Sequence, residues 1–220
     1  MPVIMFGGEK GGCGKSTLST NLCVALAHKN LDVILIDTDP QATATNWISR
    51  RNELIDAGTD IPLIHCVQKT GNVHKSIIDL EKRYQYVVID AGGNDNEAQR
   101  TSMTAADLLF IPLKASQADL ETLPYVCNLI DMAKSFNPSL VVFSLISMAP
   151  TNPSINEAEE AKKFMHDFLD KLSIAQTFIR ERKVYRDALL DGYGVLEMEN
   201  LKAQEEIYNL ALEAINNVKV

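Results

Sequence analysis

The chain has 220 residues, 46% of them hydrophobic and 23% charged. That is an ordinary globular composition, long enough for one sizeable core, so a single domain spanning 1–220 is expected. A formal net charge of -8 excludes attraction of a polyanion by the average field of the molecule, so any nucleic-acid contact needs a local cationic patch.

In chain order, short aliphatic runs alternate with longer helical patterns. This alternation is the mark of an α/β fold, a mostly parallel, twisted β-sheet flanked by helices on both faces. Strands are expected over 2–7, 33–37, 61–67, 86–90, 108–113, 140–147 and 174–179. Several are continuously apolar, as strands covered on both faces are. Helices are expected over 15–29, 71–83, 96–105, 117–135, 154–171, 183–191 and 197–217, with Ser116/Asp119 and Ser154/Glu157 as capping-box starts. The last helix carries a stripe of Leu201, Tyr208, Leu212 and Ile215 beside Glu205, Glu206 and Asn209. An acidic polar side suits docking on the sheet better than lying on a membrane.

Cys13, Cys23, Cys66 and Cys127 form no CxxC pair, so reduced thiols are expected, without disulfides or a metal cluster. No apolar stretch approaches the ~20 residues that cross a bilayer. Met1-Pro-Val-Ile-Met-Phe6 runs directly into a glycine loop, so no signal-peptide core is expected ahead of it, and the expected location is cytoplasmic.

That loop is Lys10-Gly-Gly-Cys-Gly-Lys-Ser-Thr17. A strand, a glycine-rich turn and a helix opening on Gly14-Lys15-Ser16 expose backbone N–H groups toward an anion. Gly11, Gly12 and Gly14 allow the tight curl, Lys15 reaches the β and γ phosphates, and the Ser16 hydroxyl can ligate Mg²⁺. Cys13 and Thr17 complete the expected phosphate cradle of a P-loop nucleotidase. The string arises by chance in on the order of 10⁻⁴ or fewer chains of this length, which sets aside a ligand-free glycine turn. Glu9 stands where the general pattern has its first glycine.

Two acidic strand ends accompany the loop. Leu35-Ile-Asp-Thr-Asp39-Pro-Gln41 places Asp37 and Asp39 at the carboxyl end of a strand, the edge where open α/β sheets hold their ligands. A pair of turn-forming aspartates before a proline is the plainer alternative. Tyr86-Val-Val-Ile-Asp90 followed by Ala91-Gly92-Gly93-Asn94 has the form of a Walker B strand, with Asp90 toward Mg²⁺ and Gly93 able to bring its amide to the γ-phosphate.

Lys10, five residues before Lys15, resembles the second lysine of the deviant Walker A loop in the ParA/MinD superfamily. A solvated lysine beside Glu9 is the alternative. Asp37-Thr-Asp39-Pro-Gln41 is similar to the family's D-x-D-P-Q motif. Ile111-Pro-Leu-Lys114 with Ser116-Gln117, and Arg182-Lys-Val-Tyr-Arg-Asp187 with Gly192-Tyr-Gly194, look like its later segments. The family usually carries a proline after the Walker B aspartate. Ala91-Gly92-Gly93-Asn94 departs from that and resembles short plasmid-type ParA partition ATPases.

The resemblance implies ATP and Mg²⁺ as ligands and hydrolysis to ADP and phosphate. Lys10 would reach across a homodimer to the partner's phosphates, Asp39 would orient the attacking water, and Asp37 would lie near the Mg²⁺ shell. It also implies a ParB-like or adaptor activator, and DNA or a protein as cargo, with association with the nucleoid. No Asn-Lys-x-Asp follows the Walker B strand, which favours ATP over GTP, and the loop from Met148 to Pro153 is the expected adenine pocket. Arg180, Arg182, Lys183 and Arg186, with Lys162 and Lys163, supply a candidate patch for non-specific DNA, although Glu181 and Asp187 interrupt it as they would an ordinary solvated face. A MinD-like membrane switch would need a basic tail, whereas Glu205, Glu206 and Glu213 oppose Lys219 in 204–220. A reductase resembling the nitrogenase iron protein would need two cluster cysteines near the switch loops, and none follows Asp90 until Cys127.

Overall fold

The structure, a computed structural model, describes residues 1–93, 96–152 and 157–218. Among the described residues, seven parallel strands form one sheet in the order β3-β2-β4-β1-β5-β6-β7. They are β1 (Val3–Phe6), β2 (Val33–Asp37), β3 (His65–Gln68), β4 (Tyr86–Asp90), β5 (Leu108–Leu113), β6 (Val141–Ile146) and β7 (Ser173–Ile174). The helices are α1 (Lys15–His28), α2 (Thr43–Asp56), α3 (His74–Glu81), α4 (Glu97–Met103), α5 (Gln117–Leu120), α6 (Leu123–Phe136), α7 (Glu157–Met165), α8 (Lys183–Asp191) and α9 (Leu201–Asn217).

Because side chains alternate across a strand, each inner strand feeds two cores. Ile4, Phe6 and Leu35 face the core under α1, α2, α8 and α9. Val3, Met5 and Ile36 face the one under α3, α4, α6 and α7. The doubly wound α/β architecture is therefore as expected. Register aligns Phe6 with Asp90 and Asp37 with Asp90, so the carboxyl ends of β1, β2 and β4 finish side by side.

Several element boundaries differ from expectation. The stretch 38–60, for which no element was predicted, contains the fourteen-residue α2. Its buried positions are Ala44, Trp47, Ile48 and Arg51, so an arginine interrupts the apolar stripe that would have announced it. The helix expected over 117–135 breaks into α5 and α6, because Pro124 in the first turn of α6 has no N–H and its ring would meet the Leu120 carbonyl. Ser116 caps α5 as expected, accepting from the Asp119 amide at 3.3 Å. The Asp119 carboxylate, however, takes the Lys114 amide at 2.9 Å and so ties the β5 exit. Ser154 lies outside the described residues.

The strand expected over 174–179 pairs only at Ser173–Ile174, followed by an isolated parallel bridge from Ala149 to Arg180. In α9 the buried face is Ala203, Ile207, Leu210, Ala211 and Ala214, and of the predicted stripe Ile215 packs partly against the same core. Leu201 is 82% exposed and Tyr208 48%. Small alanines let α9 approach α1 closely, and they add little to a hydrophobicity pattern. Among the described residues no helix is long and apolar enough to cross a membrane.

Candidate nucleotide-binding site

The chain leaves β1 through Gly7 and Gly8 and turns back at Gly12 (φ 70°) and Gly14 (φ 91°), both in the left-handed region that a side chain would strain. Gly14 is the N-cap of α1 and offers no side-chain cap. The first amides of α1 thus remain available to an anion. Ser147, just past β6, donates 2.7 Å to the Cys13 carbonyl and pins the loop from behind. Cys13 turns its side chain inward, where burial pushes its thiol up. It serves the loop through its backbone.

Lys15 is only 7% exposed. Its ammonium donates 2.6 Å to the Lys10 carbonyl across the loop, holding the turn in a phosphate-ready curl. The Lys10 side chain is half-buried, does not line the adjacent cleft, and makes no hydrogen bond or ion pair with the described residues.

Asp90 is fully buried, and neither carboxylate oxygen accepts a well-formed hydrogen bond from the described residues. Burial pushes its carboxyl up to about 7, with the adjacent Ser16 hydroxyl opposing, the Asp37 charge reinforcing and the Lys15 ammonium opposing. A dry carboxylate with open lone pairs beside a serine hydroxyl and a phosphate cradle suits Mg²⁺, a hard cation that takes oxygen donors and usually shares phosphates. Ser16 and Asp90 fit it.

Asp37, expected near the Mg²⁺ shell, stands in register beside Asp90 and has both carboxylate oxygens engaged by the protein. One of its oxygens accepts the Asp39 amide at 3.1 Å, and the other accepts the amide and hydroxyl of Thr45, each at 2.8 Å. Ala42, the N-cap of α2, has no side-chain cap of its own, so Asp37 does that work from β2. It is a positioning residue that sets the loop carrying Asp39.

Asp39 is half-buried at the cleft wall, where its Oδ1 accepts the Gln41 amide at 2.9 Å. Gly93 lies against the phosphate loop, and a Cβ there would stand 3.0 Å from the Gly11 amide nitrogen. A side chain there would have to push the loop back by a few tenths of an ångström. Two non-glycine residues with positive φ, Ala42 (56°) and Met148 (53°), flank the same region. Such strain gathers at ligand sites.

A cleft of about 770 Å³ therefore joins Gly11, Gly12, Gly14, Lys15, Ser16 and Thr17 to Asp39 and Gly93. The structure adds Thr43, Asn96 and Leu189, which the sequence reading missed, and brings in Gln41 and Arg186, named there only for a motif and for the cationic patch. Asn96 had a legible signal, since its side chain caps α4 by accepting the Gln99 amide at 2.8 Å, three residues on. Met148, from the loop expected to hold adenine, lines the cleft and an adjoining pocket with Leu18, Ile179 and Tyr185. Pro153 of that loop is outside the described residues.

The proposed cationic patch does not stand free. Arg182 forms an ion pair with Glu206 at 2.6 Å, and the Tyr185 hydroxyl donates to the same carboxylate. Arg180 donates 2.6 Å to the Pro150 carbonyl, Lys183 pairs with Asp187, and Arg186 pairs with Glu181. Three carboxylates thus offset four cations.

A model of the CobQ/CobB/MinD/ParA nucleotide-binding domain matches residues 4–195. The chain belongs to this family. Among its relatives, the maintenance of carboxysome distribution protein A of Halothiobacillus neapolitanus is 26% identical over 211 residues, covering 94% of this chain and 93% of that protein. The sporulation initiation inhibitor protein Soj of Bacillus subtilis is 26% identical over 210 residues, covering 78% of this chain and 83% of that protein. The ATP complex of McdA from Cyanothece has the same fold, with a TM-score of 0.78 and 17% identity over 100% of this chain and 98% of that one. In this family fold the glycine loop, Asp39, Asp90 and Gly93 converge at the carboxyl edge of the sheet.

Proposed function

We propose that the protein is a Mg²⁺-dependent ATPase that closes as a homodimer on ATP and positions a DNA or protein cargo, with hydrolysis stimulated by a ParB-like or adaptor partner. The observation that carries the reading is the placement of the two loop lysines. Lys15 is folded into its own phosphate cradle, while Lys10 stands outside the cleft with no partner among the described residues. A cation so placed suits the phosphates of a second subunit.

The amides of Gly11 to Thr17 and the Lys15 ammonium bind and orient the polyphosphate. Mg²⁺ held by Ser16 and Asp90 would neutralise charge on the phosphates. Asp39, steadied through Asp37, orients the attacking water, and Gly93 brings the loop after β4 against the phosphate loop. The names of the relatives, a carboxysome distribution protein and a sporulation inhibitor, support a positioning role without selecting a cargo. DNA contact through Arg180, Lys183 and Arg186 belongs to the DNA version of this reading, while Arg182 has a structural task.

The test is ATP turnover and sedimentation with and without ATP. Lys15→Ala abolishes nucleotide binding, Lys10→Ala retains binding but loses the closed dimer or its hydrolysis, and Asp39→Ala traps an ATP-bound dimer. A fully active monomeric Lys10→Ala protein would sink the reading. ATP-dependent retardation of arbitrary DNA at low salt decides the cargo version.

A further inference from the structure

We propose that Arg186 is a nucleotide-binding residue that grips the α-phosphate of the bound nucleotide, and that Glu181 holds its guanidinium while the site is empty. This inference rests on the nucleotide reading above and goes beyond it.

The placement comes from two cavities that share a boundary. The phosphate cleft and the smaller apolar pocket of about 60 Å³ are both lined by Gly14, Thr17, Met148 and Arg186. Lys15 and Ser16 mark the end of the cleft that takes the outer phosphates. Leu18, Ile179 and Tyr185 mark the pocket. A ligand with a polyphosphate at one end and a flat base at the other passes Arg186 where the two meet. The group that lies there is the α-phosphate with its ribose.

Of the cations that line the cleft or the pocket, Arg186 is the one whose described ion pair lies on the exposed surface. Lys15 is tied into the loop, and Arg182 is fixed on Glu206 with a side chain only 15% exposed. Arg186 is held by a 3.2 Å contact with Glu181, and the two side chains are 66% and 62% exposed. Such surface pairs contribute little, so a phosphate displaces Glu181 readily, and a guanidinium matches phosphate oxygens bidentately.

The platform under Arg186 is rigid. Three donors from α2 cover the carbonyls at the C-terminal end of α8. Arg50 Nη2 donates 3.0 Å to Leu189, Arg51 Nη1 donates 3.2 Å to Gly192, and Trp47 Nε1 donates 3.0 Å to Tyr193. Cations at a helix C-terminus also meet its dipole favourably. Because α2 begins directly behind Asp39, one strut holds both walls of the cleft in register.

Titration calorimetry with Mg²⁺ and either ATP or ADP tests this on the parent, Arg186→Ala, Arg186→Lys and Glu181→Gln. Arg186→Ala should bind both nucleotides about 10- to 100-fold more weakly, by the same factor, as expected for loss of a charge-assisted phosphate contact. Arg186→Lys should recover part of the loss, and Glu181→Gln should tighten both nucleotides about two- to fivefold. Nucleotide-free unfolding should be unchanged in all three. An Arg186→Ala protein that loses ATP but keeps ADP places the guanidinium on the γ-phosphate and overturns the assignment. One that binds both as the parent does overturns it outright. A parent that binds neither nucleotide would instead refute the ATPase reading.

Discussion

Asp90 is buried without a hydrogen-bond partner among the described residues, and replacing it with asparagine should stabilise the fold while destroying the site. Moving its carboxyl from the ordinary 3.8 to about 7 corresponds to roughly 4 kcal/mol, at about 1.4 kcal/mol per pH unit. Between those values the native state keeps a proton that the unfolded chain has released. The contribution therefore favours folding at low pH and is lost as pH rises through about 7. Asparagine removes the charge but still buries an amide without partners, at a cost of about 1–3 kcal/mol. The expected net gain at pH 8 is about 2 kcal/mol, or about 5 °C in Tm for a chain of this size. The assay is thermal unfolding with EDTA and no nucleotide, at pH 4.5 and pH 8. The advantage of Asp90→Asn should be present at pH 8 and gone at pH 4.5. Adding Mg²⁺ and ATP at pH 8 should reverse the order, because only the parent gains from the ligand. An Asp90→Asn protein less stable than the parent at pH 8 in EDTA would refute the claim that this carboxylate is an uncompensated charge awaiting a cation.

Gly93→Ala should cut nucleotide affinity or turnover at least tenfold with little change in Tm, because its Cβ would come 3.0 Å from the Gly11 nitrogen and hold the loop off the cradle; unchanged Kd and kcat would refute this. Arg51→Ala should lose about 3–5 kcal/mol, measured by urea unfolding, since it strands the buried Glu197 that Arg51 binds at 2.7 and 2.8 Å. The Glu197 carboxyl is held below its usual range by Arg51, the Gly194 amide and His28, against the opposing effect of burial. Gly194→Ala should cost about 1–3 kcal/mol through overpacking against Val24, 2.6 Å from the added Cβ, and Val24→Ala in the same chain should return part of that on the unfolding curve.

The phosphate loop was legible because its chemistry is local. The roles proposed for Gly11, Gly12, Gly14, Lys15 and Ser16 rest on backbone freedom and on a helix start that immediately follows, so spacing alone carries the proposal. The alternation of apolar strands with helices likewise announced the two-faced sheet. Helix α2 was not legible, because its inward stripe includes Arg51, which is neutralised by Glu197 146 residues away. Nor was the role of Asp37. Two aspartates one residue apart look alike in sequence, yet one caps α2 through Thr45 while the other lines the cleft.

Sequence by itself determined the family, the glycine loop and the sheet, all of which rest on neighbours within a few positions. Tertiary structure alone decided which charges are free. Arg182 is consumed by Glu206, Asp90 has no hydrogen-bond partner among the described residues, Lys10 stays outside its own cleft, and Arg186 lines that cleft from α8. The physical reason is that the state of a charged group depends on burial and on partners brought from distant parts of the chain, and neither is a property of local spacing.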